Sequence, residues 1–463
     1  MNTFSAPLAR VVLAALAVVA AHGSYAATDL LAAWQSAQQH DAVFQAARAQ
    51  WQAGQTKLRQ GEALFRPQVS ITGSASYLQS ENNTTGAQFA APGFGTSNDV
   101  TFRTKIDGGP ATAWALTAQQ PLYNAERRAN SHQLQRQAEL AEAQFRGAQQ
   151  ELILRVAQAY FDVVLAEETL ATVRAQKDAA GRALDVAKEK FEAGATPVTD
   201  RDEAQARFDE VASQQILAEN EVKIKQAAFL DVTGTPAGQL DRISPEKRLG
   251  ELRTSALAEW RERAAQHNPL IVMQGLGQQI ARDEVLKFRS LTSPSVDLVA
   301  RIADDRMHGP SGFGTTHVTS SMRTVGVQLT IPLYTGGMRS AKRDEASALV
   351  AKAQFDGEAL RQEVQRQTQA AWLAVDTGNT RVQAHEQMLK SSQSRLNATE
   401  TGKEVGARTM LDFMNAQSDF YQAQRALLQT KYQLLLDRLR LSATAGELNE
   451  TALREVNAAL EQR

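Results

Sequence analysis

The chain has 463 residues, a formal net charge of −1 and no cysteine. A balanced charge speaks against nucleic acid or an anionic membrane surface as partner, and the lack of cysteine excludes disulfides and an N-terminal anchor of the bacterial lipoprotein kind. The 12 prolines and 28 glycines cluster at a few landmarks, leaving long stretches of Ala, Gln, Glu, Lys and Arg, the composition of long helices.

At the N-terminus Arg10 precedes the apolar run Val11 to Ala21 and the small-x-small triplet Ser24-Tyr25-Ala26. A run of about 11 residues is too short to cross a bilayer as a helix and fits a signal peptide. Residues 1–27 are therefore expected to be removed on export. No later segment holds 18 consecutive apolar residues, so any membrane-embedded part must be β-structure. Leu30 to Leu64 reads as a helix, with Leu31, Trp34, Phe44 and Trp51 at helical spacing, stopped by Pro67. Val69, Ile71, Gly73, Ala75 and Tyr77 then alternate with Ser70, Thr72, Ser74 and Ser76. That pattern is a strand with one apolar and one hydroxyl face. A polar loop is expected over 79–110, before Thr112, Trp114, Leu116 and Ala118 resume a strand ending near Pro121. The strand–loop–strand unit thus occupies 68–121. A proline-free segment, 122–192, predicts a helix on the order of 100 Å long. After a turn, 199–233 predicts a shorter one.

The second half repeats the plan. A linker (235–256) leads to a helix from Leu257 to about Phe288, strands at 295–303 and 323–333 around a loop at 304–322, a long helix at 339–401 and a shorter helix at 409–443. Residues 447–463 form a tail. Landmarks recur at nearly constant offset: Pro67 and Pro294 are 227 apart, Pro121 and Pro332 are 211, and Gly194 and Gly406 are 212. The chain therefore consists of two structural repeats, 28–234 and 257–446. Each repeat offers two strands of about 10 residues, the length of a tilted membrane-crossing strand. Four strands cannot close a barrel, and an open edge in lipid leaves backbone groups unpaired. Either the strands form a soluble sheet, or several chains pool them; three chains give twelve. The long helices need antiparallel coiled-coil neighbours, since propensity alone cannot hold them.

Several stretches carry a family likeness: Gln120-Pro121-Leu122-Tyr123, Ala157 to Val163, Phe191 to Asp200, and Val405 to Asp412. Together with the order of elements they resemble the TolC family of outer-membrane exit ducts, over nearly the whole mature chain. Gly446 to Glu450 resembles the type I secretion branch. The resemblance implies a mainly α fold with a small β part. Long antiparallel coiled-coil helices form an α-barrel tunnel in the periplasm, and four membrane strands per chain close a 12-stranded β-barrel in a homotrimer. It places the protein in the outer membrane of a Gram-negative bacterium, with outer-membrane lipid around the barrel. Implied partners are a periplasmic adaptor (membrane fusion) protein and an inner-membrane ABC exporter or proton-driven pump. The cargo is an exported protein or small molecules. The lead reading is a type I protein secretion duct. The alternative is a multidrug or metal efflux component, and a distant rival is a secreted coiled-coil scaffold. No catalytic constellation, cofactor motif or nucleic-acid partner is indicated.

The same resemblance marks the tips at 191–201 and 402–415 as a periplasmic gate. Asp200 and Arg408 align with family gate residues, and Asp412 is expected to give a three-carboxylate ring at the pore entrance. Two departures stand out: Lys403 occupies the place of a gate tyrosine, and Asn415 that of a second carboxylate ring. Lys403 is read either as a partner of Asp200 or Glu404 or as solvated. A plainer reading stands beside the gate: Thr409 to Asp412 is a capping box, and Thr196-Pro197 a helix start. Gly194, Gly406, Pro121 and Pro332 are read as turn residues. The seven histidines (22, 40, 132, 267, 308, 317, 385) show no metal-binding spacing, so no metal site is expected. Gly336-Gly337 lacks the Lys-Ser/Thr of a nucleotide loop and reads as a strand-to-helix turn.

Overall fold

The computed structural model describes residues 29–243, 255–289, 293–311 and 314–460. The expected signal peptide and residues 244–254 of the linker lie outside the described residues. The chain divides into two compact units that cut across the repeats. Of the described residues, one unit comprises those within Gln52–Glu142 and Gln274–Gly357; the other comprises those within Met1–Trp51, Ala143–Met273 and Glu358–Arg463.

The first unit contains the strands β1 (Gln68–Ala91), β2 (Gly95–Asn124), β3 (Ser295–Ser311) and β4 (Gly314–Thr330). They form one antiparallel sheet in the order β1-β2-β3-β4. With 24, 30, 17 and 17 residues, they are far longer than the ten expected. The segments read as polar loops, 79–110 and 304–322, are mostly strand. Asn82 pairs with Thr104, Asn83 with Arg103 and Thr84 with Phe102, and Asp305 with Ser320. A polar side chain removes the apolar alternation by which a strand is recognised, but the backbone still pairs. Pro121 does not end its strand. It sits inside β2, where the register shifts between Pro121 and Tyr123, a bulge being where a residue without an N–H is tolerated. Pro332 follows the end of β4.

Register assigns each face of the sheet. Val69, Ala118, Ala300 and Val325 form one cross-strand row, and Ile71, Leu116, Ile302 and Arg323 the next. Leu298 with Val327 and Val296 with Leu329 extend this face toward the helices. Four rows two residues apart cover about 20 Å along the strands. The row beyond carries Trp114 opposite Gly73. The opposite face is polar, with Ser70, Thr117, Arg301 and Thr324 in one row. On the two edge strands the apolar side chains are bare: Ile71 is 72% exposed and Val325 78%. β1 and β4 each have one neighbouring strand, so both outer edges are unpaired among the described residues.

The helices are α1 (Leu30–His40), α2 (Ala42–Ala63), α3 (Ala125–Glu192), α4 (Val198–Thr233), α5 (Leu257–His267), α6 (Pro269–Lys287), α7 (Met338–Glu404), α8 (Met410–Thr444) and α9 (Glu450–Asn457). The helices expected over 30–64 and from Leu257 to about Phe288 are each broken, at Asp41 and Asn268, which are 227 residues apart. Asp41 Oδ1 accepts from the Phe44 N–H at 2.6 Å, and Asn268 Oδ1 from the Leu270 N–H at 2.9 Å. A short polar side chain that captures nearby backbone N–H groups starts a new helix, while the apolar spacing runs on through the break.

The second unit has its main core around Tyr160, Phe161, Phe229 and Tyr432, joined by Leu240 and Ile243 from the segment after α4. Two tyrosines clamp that segment: Tyr160 Oη donates to the Asp241 carbonyl at 3.2 Å, and the Ile243 N–H donates to Tyr432 Oη at 3.1 Å. Burial pushes both phenols well above the usual tyrosine range. Ion pairs rail the paired helices together, with Lys225–Asp162 at 3.1 Å and Arg174–Glu219 at 3.1 Å between α3 and α4, and Arg395–Asp419 at 2.7 Å between α7 and α8.

Candidate gate at the helix tips

Both helix–turn–helix tips lie in the second unit, and one apolar cluster joins them. Leu184 and Ala187 of α3, Ala204 of α4, and Phe413 and Met414 of α8 pack together, with Leu396 of α7 and Met410 against them. The turns are built alike. At the first, the Ala195 N–H bonds the Lys190 carbonyl at 2.8 Å and the Gly194 N–H that of Phe191 at 2.9 Å. At the second, Ala407 bonds Gly402 at 2.8 Å and Gly406 bonds Lys403 at 3.1 Å. This is the Schellman pattern, which requires a left-handed residue. Gly194 and Gly406 supply it, with φ of 71° and 75°.

The two helix starts differ, and the difference bears on the aspartates. α8 begins with a complete capping box: Thr409 Oγ1 accepts from the Asp412 N–H at 3.0 Å, and Asp412 Oδ2 accepts from the Thr409 N–H at 3.1 Å. Thr409, through its backbone N–H and its hydroxyl, holds the Asp412 carboxyl below the usual aspartate range, with a smaller contribution from the Arg408 charge. α4 instead starts after Pro197, which offers no capping side chain. Proline also has no backbone N–H to return the reciprocal bond, and the Asp200 carboxylate makes no hydrogen bond or ion pair with a described residue. The Thr196 hydroxyl is buried and equally unpartnered.

The cations near the tips are placed differently from expectation. Lys403 pairs with neither Asp200 nor Glu404. Its Nζ stands 3.9 Å from the ring centre of Phe413, where the face of the aromatic quadrupole attracts a cation. Arg201 covers Phe191 in the same way at 4.7 Å. Neither aromatic partner stood out in the sequence, because each lies ten residues from its cation and only the reversal of the chain joins them. The Arg408 stem lies against Gly402, where any Cβ would crowd its Cγ, and its guanidinium pairs with no described residue. Asn415 is exposed one turn beyond Asp412. Of the two aspartates that occupy equivalent places at the tips, Asp412 is thus capped and Asp200 open, and the Arg408 guanidinium is likewise open within one chain.

An apolar-out, polar-in sheet with open edges, combined with paired helices of nearly 70 residues, defines an outer-membrane channel protein of mixed β and helical build. The profile of the family described as "Outer membrane efflux protein" matches residues 33–235 and 260–447, and the chain belongs to that family. It is a transport channel of the outer membrane and not an enzyme. It is similar to the outer membrane protein TolC of Vibrio cholerae, with 29% identity over 94% of each chain. It is also similar to the proteases secretion protein PrtF of Dickeya chrysanthemi, with 28% identity over 94% of this chain and 92% of that one. In fold it matches the solved structure of CusC with a TM-score of 0.73 and 17% identity, covering 91% of this chain and 92% of the other.

Proposed function

We propose that three copies of the chain close a 12-stranded barrel and serve as the exit duct of a type I protein secretion system. A periplasmic adaptor and an inner-membrane ABC exporter would deliver the cargo. The observation that carries this reading is the four-stranded sheet, with its lipid-suited face exposed and both edges unpaired. In hydrocarbon each unsatisfied backbone group costs several kcal/mol, so the edges must be paired by further copies. Twelve strands lie within the range of bacterial barrels. The likeness to a protein named for protease secretion, over more than nine-tenths of both chains, favours protein cargo. The family description, "Outer membrane efflux protein", keeps an efflux-pump component as the second reading.

At the tips, the reading assigns Asp200 and Arg408 to contacts between neighbouring coils that hold the entrance shut, and Asp412 to a ring of three carboxylates. The open state of Asp200 and Arg408 within one chain supports this, since both have bonding capacity left for a neighbour. Membrane fractionation with mass determination in mild detergent tests the assembly. A trimer of about 140 to 150 kDa in the outer membrane is expected from pooled edges, and a soluble monomer would sink the proposal. Deleting the gene then separates the readings: loss of a secreted protein supports secretion, and drug or metal hypersensitivity with intact secretion supports efflux.

A further inference from the structure

His308 and His317 are directly opposed across the β3–β4 hairpin. Their rings lie face to face, with centroids 5.6 Å apart and planes 23° from parallel. Neither imidazole has a hydrogen bond or ion pair with any described residue, and both side chains are exposed. We propose that this pair is a transition-metal site, in which one Zn²⁺, Cu²⁺ or Ni²⁺ ion is chelated by the two imidazoles.

The chemistry follows from the register. Directly opposed residues bring their Cβ atoms to about 4.5–5.5 Å, and a ring turn about χ1 or χ2 lets one nitrogen of each imidazole reach a shared ion at about 2.0–2.1 Å. Imidazole is a borderline ligand and selects zinc, copper and nickel over calcium or magnesium. The neighbouring strand approaches closely here. A side chain at Gly109 would overlap the His308 carbonyl, so β2 lies close against β3 here because that position is glycine. Near the hairpin end, Ser311 Oγ donates to the Gly314 carbonyl at 2.8 Å and lies 2.7 Å from Thr316 Oγ1. Charge does not oppose the ion. Arg306, two residues before His308 on the same face, is paired with Asp304 at 2.9 Å, and Asp304 also accepts from Ser321 Oγ. No group of three or more metal-ligating side chains occurs among the described residues, so the protein supplies two ligands and water the rest. On the channel reading the site lies past the apolar band on the side away from the helices, facing the external medium. It requires the hairpin register but not the secretion assignment.

The test uses the full assembly purified with a histidine-free tag. Calorimetric titration with ZnCl₂ is expected to give one ion per chain, and Cu²⁺ electron paramagnetic resonance to show two nitrogen ligands. His308→Gln and His317→Gln should each weaken binding at least as much as loss of a ligand's supporting partner does, about tenfold or more, and remove the two-nitrogen signature, whereas His132→Gln should leave both unchanged. Comparing the detergent mass of each variant excludes loss of assembly as the cause. Unchanged affinity in the doubly substituted protein, or a copper spectrum with oxygen ligands alone, would overturn the assignment.

Discussion

Asp200 and Asp412 stand at equivalent places in the two repeats, yet the residue at the helix cap gives them different work. Thr409 engages Asp412 in two reciprocal bonds, whereas Pro197 leaves Asp200 open. If Arg408 bridges to Asp200 of a neighbouring coil as proposed, Arg408→Ser should raise single-channel conductance in planar bilayers; unchanged conductance would leave Arg408 a turn residue only. Asp412→Ala should abolish block by trivalent cations added from the periplasmic side. The pH dependence has a definite sign. The folded-state value of Asp412 is depressed by its bonds to Thr409, so its capping contribution is full above the ordinary aspartate value and fades as pH falls through the depressed one. If three Asp412 carboxylates ring the entrance as proposed, these bonds should help the ring keep its cation block at pH values where an ordinary aspartate is already half protonated. Recording block across a series of acidic buffers would reveal an early loss if the bonds are absent. The sequence showed the capping box at Thr409 and the odd Lys403, but it could not show that Lys403 lies over Phe413, because that contact requires the turn to be folded.

Among the elements, the repeat extends to features finer than its helices and strands. Asp41 and Asn268 break corresponding helices, and Gly234 and Gly446 sit against the preceding histidines. A Cβ at Gly234 would meet the His40 ring, and one at Gly446 the His267 carbonyl. Both glycines also have positive φ, 70° and 74°. Gly406 has the same backbone conformation but open space around it. Gly406→Ala should then cost only the left-handed strain, about 1–2 kcal/mol. Gly446→Ala adds a clash with backbone and should cost more, read as a larger drop in the temperature at which the assembly dissociates in detergent. Equal drops would show that the His267 approach can relax. Helix existence was legible from proline-free length and apolar spacing. The breaks were not, since a one-residue interruption by Asp or Asn leaves the spacing of Leu, Trp and Phe nearly intact.

For the whole molecule, the deciding feature is a sheet whose faces divide by polarity while its edges are unpaired among the described residues. Val325 belongs to a row with Val69, Ala118 and Ala300, and Thr324 to the polar row of Ser70, Thr117 and Arg301. Val325→Arg should destabilise the assembled barrel by about 2–4 kcal/mol if that row is at mid-membrane, whereas Thr324→Arg faces the lumen and should be tolerated. The fraction of assembly surviving detergent electrophoresis distinguishes them, and equal tolerance would mean the apolar face is not in lipid. The alternation over Val69 to Tyr77 already announced this face in the sequence. It gave out where Asn, Thr, Gly and Ser replace the apolar partners, and the hairpins continue there through backbone pairing alone.

Local chemistry that needs only neighbours along the chain was determined by the sequence itself: the duplication, the glycine turns, the capping box at Thr409, the two-faced strands and the proline-free helices. Each of these depends on backbone preference or on a period of two or 3.6 residues. The tertiary structure alone decided the matters that depend on which distant residues meet. Strand register carried the hairpins past their apolar segments and set His308 opposite His317, two residues whose spacing carried no signal. The chain reversal at each tip put Lys403 over Phe413 and Arg201 over Phe191. The packing of Gly234 and Gly446 against the helix breaks joined each repeat to itself, because a contact between residues some 180 or 190 positions apart leaves no trace in local periodicity.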